Sequence, residues 1–321
     1  MDDLYTFLLP VAILAVIMLF RFAGCSFSTT VGESYPDIIK GDNPLFYYRL
    51  QETGMLPRDA ADEMGRKNGT YGISPSPLND PAYLSPTVLT PGIELGVSPS
   101  IVPLMSYSKA VRFNGSDVFA IGPIGPLPKF SVEAIVRPEW NLINNRGFFF
   151  CVFESSAHVP GLGAPTPLKN TGFAVFAGPH DLASPAASPY CWQLWVGTGT
   201  EFHRASPLES GPVPLVKSES TYLAVTFDDP EVVLYAYTPG EDLDFISHAL
   251  TRPPYVQAIH PLDGISLRIG LAGGSAALVP PFPGPAGGLY PFVGRMAEVA
   301  LYERALTPAE VRSHITAAFN T

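Results

Sequence analysis

Short apolar segments recur along the chain from residue 130 onward, each rich in aromatic or β-branched residues and bounded by Gly, Pro, Asn or Asp. This pattern is typical of the strands of an all-β sandwich. In the segment 130–136 the even-numbered residues are apolar and the odd-numbered ones are mixed, so one face of that strand meets a core. The predicted strands are Phe130–Val136, Phe148–Phe153, Phe173–Phe176, Trp192–Val196, Tyr222–Phe227, Val232–Tyr237 and Ser266–Ile269.

The carboxyl-terminal segment predicts a strand followed by a short helix. Residues 292–302 (FVGRMAEVALY) are largely apolar, with Glu298 among them. Thr307 is a favoured N-cap residue, and Pro308 suits the first position of a helix. No stretch of helical periodicity of any length appears before residue 307. We therefore expect two packed antiparallel sheets, with one capped helical turn at the end of the chain.

The ending FVGRMAEVALYERALT (292–307) resembles that of laminin-G-like domains, which belong to the concanavalin-A-like lectin/glucanase superfamily. Five further segments are similar to motifs of this family, and they occur in the family's order along the chain. The resemblance extends from about residue 35 to residue 319 and implies a two-sheet antiparallel jelly-roll sandwich. The five segments are 35–52 (the opening strand), 60–71 (an early loop), 110–117, 130–138 and 222–228.

Composition limits the number of domains and the kinds of ligand. The chain has 321 residues, 46% of them hydrophobic, which predicts one large domain over residues 41–321. Its 35 prolines are about twice the usual ~5% and concentrate in loops. The net charge of −10 without a basic run argues against nucleic-acid binding. The Pro-rich loops are 74–103, 160–167, 179–189, 207–214 and 280–291.

The amino-terminal segment 1–24 predicts a membrane anchor. Residues 4–20 carry no charge, and about 17 residues are just enough to cross a bilayer of ~30 Å. The chain begins Met-Asp-Asp, whereas a cleaved signal peptide begins with basic residues, so we expect an uncleaved helix. Two alternatives stay open: residues 22–25 (FAGC) are similar to a bacterial lipoprotein box in which Cys25 is lipidated, or the segment is buried.

Residues 25–40 are expected to form a polar stalk between the anchor and the domain. Arg21, on the domain side of the anchor, would place the domain in the cytoplasm by the positive-inside tendency. The resemblance implies the opposite orientation, because laminin-G-like domains are mostly secreted or displayed at the surface. We expect an extracytoplasmic domain, at the cell surface or in the periplasm.

Two cysteines lie inside predicted strands. Cys151 and Cys191 form a possible pair in an oxidising compartment. In a meander, however, the strand 173–176 lies between them and separates them by ~10 Å. That distance is too large for a disulfide. We expect two buried free thiols.

The sequence lacks the usual signatures of a hydrolase. Glucanases of this superfamily carry a Glu-x-Asp-x-x-Glu run that pairs two carboxylates for acid and nucleophile roles. No such run occurs here, and the nearest acidic cluster, 241–244, follows Pro-Gly and is typical of a solvated turn. The six histidines are scattered, and neither His-Glu-x-x-His nor Gly-x-Ser-x-Gly is present. The sequence therefore predicts that the protein is not an enzyme.

The resemblance also implies a possible structural calcium ion, and the sequence makes no cofactor certain. Asp62 matches an acid of the family's early loop, and calcium requires several such oxygen ligands. The aspartate of the final strand is replaced by Ala297, which leaves only Glu298 beside it. Asp62 and Glu298 are thus a weak metal-site prediction. The alternative for Asp62 is a turn residue that accepts hydrogen bonds from nearby amides.

The densest group of aromatic and polar residues is the candidate ligand site. Aromatic rings stack on sugar faces, and polar side chains beside them fix the orientation. Trp192 and Trp195 lie three residues apart, so they point to opposite faces of a strand and only one can reach a ligand. The other is expected in the core. The candidate residues are Tyr190, Trp192, Trp195, His203 and Arg204.

Together these observations predict a membrane-tethered extracytoplasmic module that recognises a glycan through a concave sheet face or rim loops. One alternative is a non-catalytic adhesion or structural component that binds a surface protein. A second is a diverged glycoside hydrolase. The sequence leaves the ligand and the oligomeric state open.

Overall fold

The computed structural model describes residues 34–53, 59–73, 94–97, 101–102, 109–114, 117–124, 127–139, 150–156, 172–198, 202–207, 212–251, 265–272 and 290–319. In these ranges the α-helices are α1 (Tyr35–Gly41) and α2 (Pro308–Phe319). The strands are β1 (Phe46–Tyr48), β2 (Asp59–Ala60), β3 (Gly69–Ile73), β4 (Glu94–Val97), β5 (Ala110–Asn114), β6 (Asp117–Ile124), β7 (Lys129–Pro138), β8 (Phe150–Ser156), β9 (Gly172–Pro179), β10 (Tyr190–Gly197), β11 (Phe202–Arg204), β12 (Ser206–Pro207), β13 (Val213–Pro214), β14 (Thr221–Asp228), β15 (Glu231–Tyr237), β16 (Ser247–Thr251), β17 (Ile265–Ile269), β18 (Leu271–Ala272), β19 (Tyr290–Pro291) and β20 (Val293–Tyr302).

Two antiparallel sheets contain most of these strands. The first sheet has the order β12-β16-β15-β14-β7-β20-β5-β4, with β1 also paired to β20. The second has the order β11-β10-β9-β8-β17-β6-β3-β2, with β13 also paired to β10. Strands β18 and β19 pair with each other. The mostly-β fold with two antiparallel sheets confirms that part of the fold prediction, and the described residues of the seven predicted strands fall on β7, β8, β9, β10, β14, β15 and β17.

The inner core consists of the apolar faces that the two sheets turn toward each other. Phe130 of β7 stacks on Phe227 of the neighbouring strand at 5.2 Å between ring centroids. Phe130 also stacks on Phe173 of the second sheet, at 4.3 Å. Burying one such side chain stabilises the fold by ~1.5–3 kcal/mol. The even-numbered residues predicted for this face of β7 all belong to the inner core.

The other face of the first sheet carries a second apolar cluster, the outer core, to which both helices contribute. Ile135 of β7 and Tyr222 of β14 lie in it together with Ile39 of α1 and Ile315 of α2. Residues 131–136 of β7 are consequently all fully buried. The odd-numbered face of β7 has the mixed composition that the sequence indicates, and the structure shows that its polar residues Ser131 and Glu133 are buried.

Helix α1 corrects two predictions for the start of the domain. Residues 35–40 were assigned to the polar stalk, and 35–52 to an opening strand. The structure instead has a helix over Tyr35–Gly41 and a strand only over Phe46–Tyr48. Tyr35 and Ile39 are buried in the outer core, because α1 packs against α2. The packing explains why so short a helix is stable.

Helix α2 begins as predicted and is longer than one turn. Thr307 Oγ1 accepts a hydrogen bond from the Glu310 main-chain N–H at 3.3 Å. Glu310 Oε2 accepts in return from the Thr307 N–H at 2.7 Å. This reciprocal pair is a capping box. The helix runs for 12 residues and buries Val311, Ile315 and Ala318.

The cysteines lie as the meander argument predicted. Phe176 of β9 is in register with Cys151 of β8 on one side and with Gln193 of β10 on the other. Strand β9 therefore separates Cys151 from Cys191, and both are buried free thiols.

Several predicted segments lie outside the described residues. These are the anchor over residues 4–20, Cys25 and the stalk up to residue 33, together with the Pro-rich loop 160–167 and most of 74–103 and 280–291. Within the described ranges, no helix combines the length and the apolar character needed to cross a bilayer.

Candidate functional site

The predicted ligand residues lie on two neighbouring strands of the second sheet, β10 and the edge strand β11. Trp195 of β10 is in register with Arg204 of β11, and Val196 with His203. Tyr190 lies at the start of β10, half-buried against the inner core. Trp195 and Arg204 thus share one face of the sheet, whereas His203 is on the other face, in register with the inner-core residue Val196.

Their burial, however, differs from what the sequence predicted. Trp192 belongs to the inner core and is 1% exposed. Trp195 lies on the opposite face, as predicted, but it is only 5% exposed. Its indole N–H donates to Gln193 Oε1 at 3.1 Å, and the Arg204 guanidinium donates to the His180 carbonyl at 2.7 Å. The expectation that one tryptophan faces solvent is thus corrected, because neither ring is open for stacking.

The carboxylate of Asp62, one of the two residues predicted to bind calcium, is hydrogen-bonded to main-chain N–H groups. It accepts hydrogen bonds from the N–H groups of Tyr47 at 2.9 Å, Met64 at 3.1 Å, Arg66 at 2.8 Å and Lys67 at 3.0 Å. Four such donors make the carboxylate the organising group of the turn before β3. This geometry is the alternative that the sequence left open for Asp62.

Glu298 is fully buried where a bulge interrupts β20, and its backbone has a positive φ of 57°. Its carboxylate accepts hydrogen bonds from the Tyr47 hydroxyl and, at 3.1 Å, from the Gln51 side chain, and it lies 3.4 Å from Arg49 Nε. Burial raises the pKa of Glu298 to about 7, against the opposing effect of Arg49.

Asp62 and Glu298 therefore contact opposite ends of Tyr47, its main-chain N–H and its hydroxyl, and do not form a joint site. In the part of the chain that the structure describes, no group of three or more His, Cys, Asp or Glu side chains could hold a metal ion.

A chain of ionisable side chains that the sequence did not single out crosses the outer core. Glu133 of β7 is fully buried and accepts hydrogen bonds from the hydroxyls of Tyr222 and, at 2.9 Å, Tyr302. His314 of α2 lies 2.9 Å from Glu133 through Nδ1 and 2.7 Å from Asp42 through Nε2. The histidine is thus held between two carboxylates.

His314 is positively charged at neutral pH in this setting. Burial acts to lower its pKa, but the carboxylates of Glu133 and Asp42 outweigh burial and raise the pKa to about 9. Because both ring nitrogens of the cation donate, the orientation of the ring is fixed. In this row of ionisable side chains, Asp42 is the member nearest to solvent, and its side chain is 26% exposed.

Asp42 opens into a cavity of about 280 Å³, which we call the polar cavity. It lies where the residues after α1, the loop before β3 and the residues after β20 meet. Two of the residues lining it are acidic and two are arginines, so it offers both acceptors and donors. Its lining residues are Asp42, Asn43, Leu45, Arg66, Glu303 and Arg304.

The two guanidinium groups of the polar cavity are held in place. Arg66 donates to the carbonyl of Pro44 at 2.8 Å and to Asn43 Oδ1 at 2.8 Å. Arg304 donates to Glu310 at 3.0 Å and to the Asp42 carbonyl at 3.2 Å. The cavity therefore presents prearranged polar groups, as small-ligand sites do.

No protein-family model and no curated protein sequence matches this chain. Solved structures resemble it at low sequence identity. Domain 4 of AbnA, a GH43 extracellular arabinanase from Geobacillus stearothermophilus solved in complex with arabinotriose, is 16% identical with a TM-score of 0.50, over 84% of this chain and 96% of that one.

Two further structures are more distant. The receptor binding domain of botulinum neurotoxin type G is 8% identical with a TM-score of 0.47, over 84% of this chain and 50% of that one. A Trypanosoma rangeli sialidase mutant displaying trans-sialidase activity is 11% identical with a TM-score of 0.45, over 87% of this chain and 33% of that one. At such identities a likeness shows the fold alone.

The comparison corrects the prediction that the protein is not an enzyme. That prediction relied on the missing Glu-x-Asp-x-x-Glu run. A domain of a glycoside hydrolase nevertheless has the same fold over most of this chain. The missing motif therefore does not exclude enzymatic activity.

Proposed function

We propose that this chain is a laminin-G-like domain that recognises a glycan, and that the polar cavity takes one sugar residue. The observation that carries the proposal is the set of prearranged acidic, amide and guanidinium groups in one cavity. Its volume of about 280 Å³ is just below the ~300–1,000 Å³ of sites for larger ligands, so it suits a single sugar ring.

Asp42 and Arg304 provide the most specific contact. Asp42 Oδ2 is engaged by His314, whereas Oδ1 lies 3.9 Å from Arg304 Nη2. This separation is too long for a hydrogen bond. A sugar hydroxyl placed beside both groups accepts from the guanidinium and donates to the carboxylate. The buried histidine keeps Asp42 oriented for that contact.

Two further observations support a glycan ligand. The sequence resembles laminin-G-like domains over residues 35–319, and domain 4 of the arabinanase, which shares the fold, was solved with arabinotriose bound. The polar cavity replaces the aromatic group around Trp195 as our preferred site, since that ring is buried.

A glycan array with the full-length chain, followed by titration of the best glycan, tests the proposal. Arg304→Gln should weaken binding at least tenfold, because it removes a charged hydrogen bond worth ~1.5–3 kcal/mol. Arg312→Gln is the matched control, since both side chains are 41% exposed and both pair with an acid. Equal affinity of the two variants would refute the site, and absence of binding to any glycan would refute the function.

The same samples test for catalysis. Bound glycans are incubated with the protein and analysed by mass spectrometry for shorter products. Products that disappear in Asp42→Asn would show that the polar cavity hydrolyses its ligand as well as binding it.

We also propose that residues 4–20 tether the domain to a membrane and that the domain lies outside the cytoplasm. The support is the uncharged segment together with the surface location common among laminin-G-like domains. The full-length chain should remain in the membrane fraction after carbonate extraction, and protease added to intact cells should remove the domain. Recovery of the whole chain in the soluble fraction would refute the tether.

A further inference from the structure

Arg66 differs in its charge balance from the other arginine of the polar cavity. Arg304 forms an ion pair with Glu310 at 2.9 Å. The carboxylate of Asp42 in turn lies 2.7 Å from the His314 ring. Among the residues that the structure describes, no carboxylate lies within ion-pair distance of the Arg66 guanidinium. The polar cavity therefore contains one cation whose charge can be balanced by a ligand.

The Arg66 guanidinium is held in place by neutral acceptors. Its Nη1 donates to the carbonyls of Pro44 at 2.8 Å and Leu45 at 3.2 Å, and its Nη2 donates to Asn43 Oδ1 at 2.8 Å. Asn43 and Leu45 also line the polar cavity, so the guanidinium is held against the cavity wall. A guanidinium has five N–H groups. In the described part of the chain, one N–H of Nη2 and the N–H of Nε remain without an acceptor.

Glu303 is the remaining charged residue of the polar cavity, and by its sign it would attract a cation. It is exposed, and within the described ranges its carboxylate accepts no hydrogen bond and forms no ion pair. A ligand that binds Glu303 has to order a free glutamate side chain, which costs rotamer entropy. Arg66 is already held in place, so a ligand that binds it avoids that cost. The prearranged unpaired charge of the cavity is therefore positive.

We propose that the sugar bound in the polar cavity carries an acidic group, a carboxylate or a sulfate ester, and that Arg66 selects it. Guanidinium N–H groups pair with the oxygens of both acids, and such ionic hydrogen bonds are stronger than those to a neutral hydroxyl. The inference rests on the proposed function, since it names the class of sugar that the cavity takes. Asp42 and Arg304 hold a hydroxyl of the ring, whereas Arg66 determines the preference for the acid.

The overall charge of the protein makes such a preference diagnostic. The chain has a net charge of −10, so its general electrostatic field repels an acidic glycan. Nonspecific attraction would favour neutral or cationic glycans instead. A preference for an acidic glycan therefore requires a local cation such as Arg66.

The test is a glycan array that carries uronic-acid and sulfated oligosaccharides beside neutral ones, probed with the full-length chain. The tightest-binding acidic oligosaccharide is then titrated beside its neutral counterpart, made by reducing each carboxylate to a hydroxymethyl group or by removing each sulfate. The ionic strength is kept constant, because salt screens charge contacts. The acidic form should bind at least tenfold more tightly, and its acid shows which of the two groups the cavity takes.

The outcomes separate this inference from the proposed function. If only neutral oligosaccharides bind, or if the neutral counterpart binds as tightly as the acidic form, the inference is wrong and the proposed function stands. If no oligosaccharide binds, both fail.

Two variants with opposite expected effects locate the preference. Arg66→Gln should lower the ratio of acidic to neutral affinity at least fivefold, whereas a folding defect would weaken both forms alike. Glu303→Gln removes a negative charge from the cavity and should raise the ratio. Arg312→Gln is the control, since Arg312 pairs with Asp244 and does not line the cavity, and it should leave the ratio unchanged. An unchanged ratio in Arg66→Gln, or a ratio that does not rise in Glu303→Gln, would overturn the proposal.

Discussion

The charge on His314 should make the stability of the domain fall as the pH rises above neutrality. Its pKa is raised from 6.5 to about 9 by Glu133 and Asp42 against the effect of burial. The folded state therefore binds this proton more tightly than the unfolded state. The resulting stabilisation is fully present below pH 6.5 and is lost as the pH rises through 9. A tenfold difference in proton affinity is worth ~1.4 kcal/mol, which gives about 3 kcal/mol in total.

Urea unfolding at pH 7, 8, 9 and 9.5, followed by circular dichroism, measures this loss. The series stops below pH 10 because the pKa values of the buried Tyr222 and Tyr302, raised by burial and by Glu133, add their own dependence above that pH. In His314→Gln the fall between pH 7 and 9.5 should disappear, although the variant is less stable overall at pH 7. Asp42→Asn should show a smaller fall than wild type. Identical slopes in wild type and His314→Gln would refute the assignment of a charged histidine.

Three further changes probe other parts of the fold. In the wild-type protein the raised pKa of Glu298, about 7, means that the folded state favours the protonated acid. This stabilisation of ~3 kcal/mol is lost as the pH rises from 4.5 through 7. Glu298→Gln should remove this second fall of stability. If Glu298 titrates normally, urea unfolding at pH 4.5 and 7 would show the same change of stability between the two pH values in wild type and in Glu298→Gln. Trp192→Ala should cost ~3–5 kcal/mol in the same assay, since the ring fills the inner core, and a loss below 1 kcal/mol would place the ring elsewhere. Glu310→Ala breaks the capping box of α2 and should cost ~1 kcal/mol, with no loss expected for the neighbouring exposed Ala309 when it is replaced by Gln.

The sequence predicted the strands well because their signal is local. In β7 and β14, aromatic and β-branched residues alternate between the faces, and turn residues mark both ends. Helix α1 was missed for the opposite reason. Its seven residues have little helical preference of their own, and Tyr35 and Ile39 are stabilised by contact with the other end of the chain.

The candidate site was harder to predict because its residues are distant in sequence and look ordinary there. Glu133 occupies a strand position of mixed polarity, and its burial is compensated by contacts with Tyr222, Tyr302 and His314, which lie far from it in sequence. A signal did exist, since His314 shares the helical spacing of the buried Val311 and Ala318. The spacing of Trp192 and Trp195 gave the correct faces, but burial of the outer face depends on the whole fold.

A crystal structure of the protein with the tightest-binding glycan tests the central claim most directly. We predict a sugar ring in the polar cavity, with one hydroxyl within hydrogen-bonding distance of both Asp42 Oδ1 and Arg304 Nη2. A glycan seated instead beside Trp195 and Arg204, on strands β10 and β11, would contradict the proposed site.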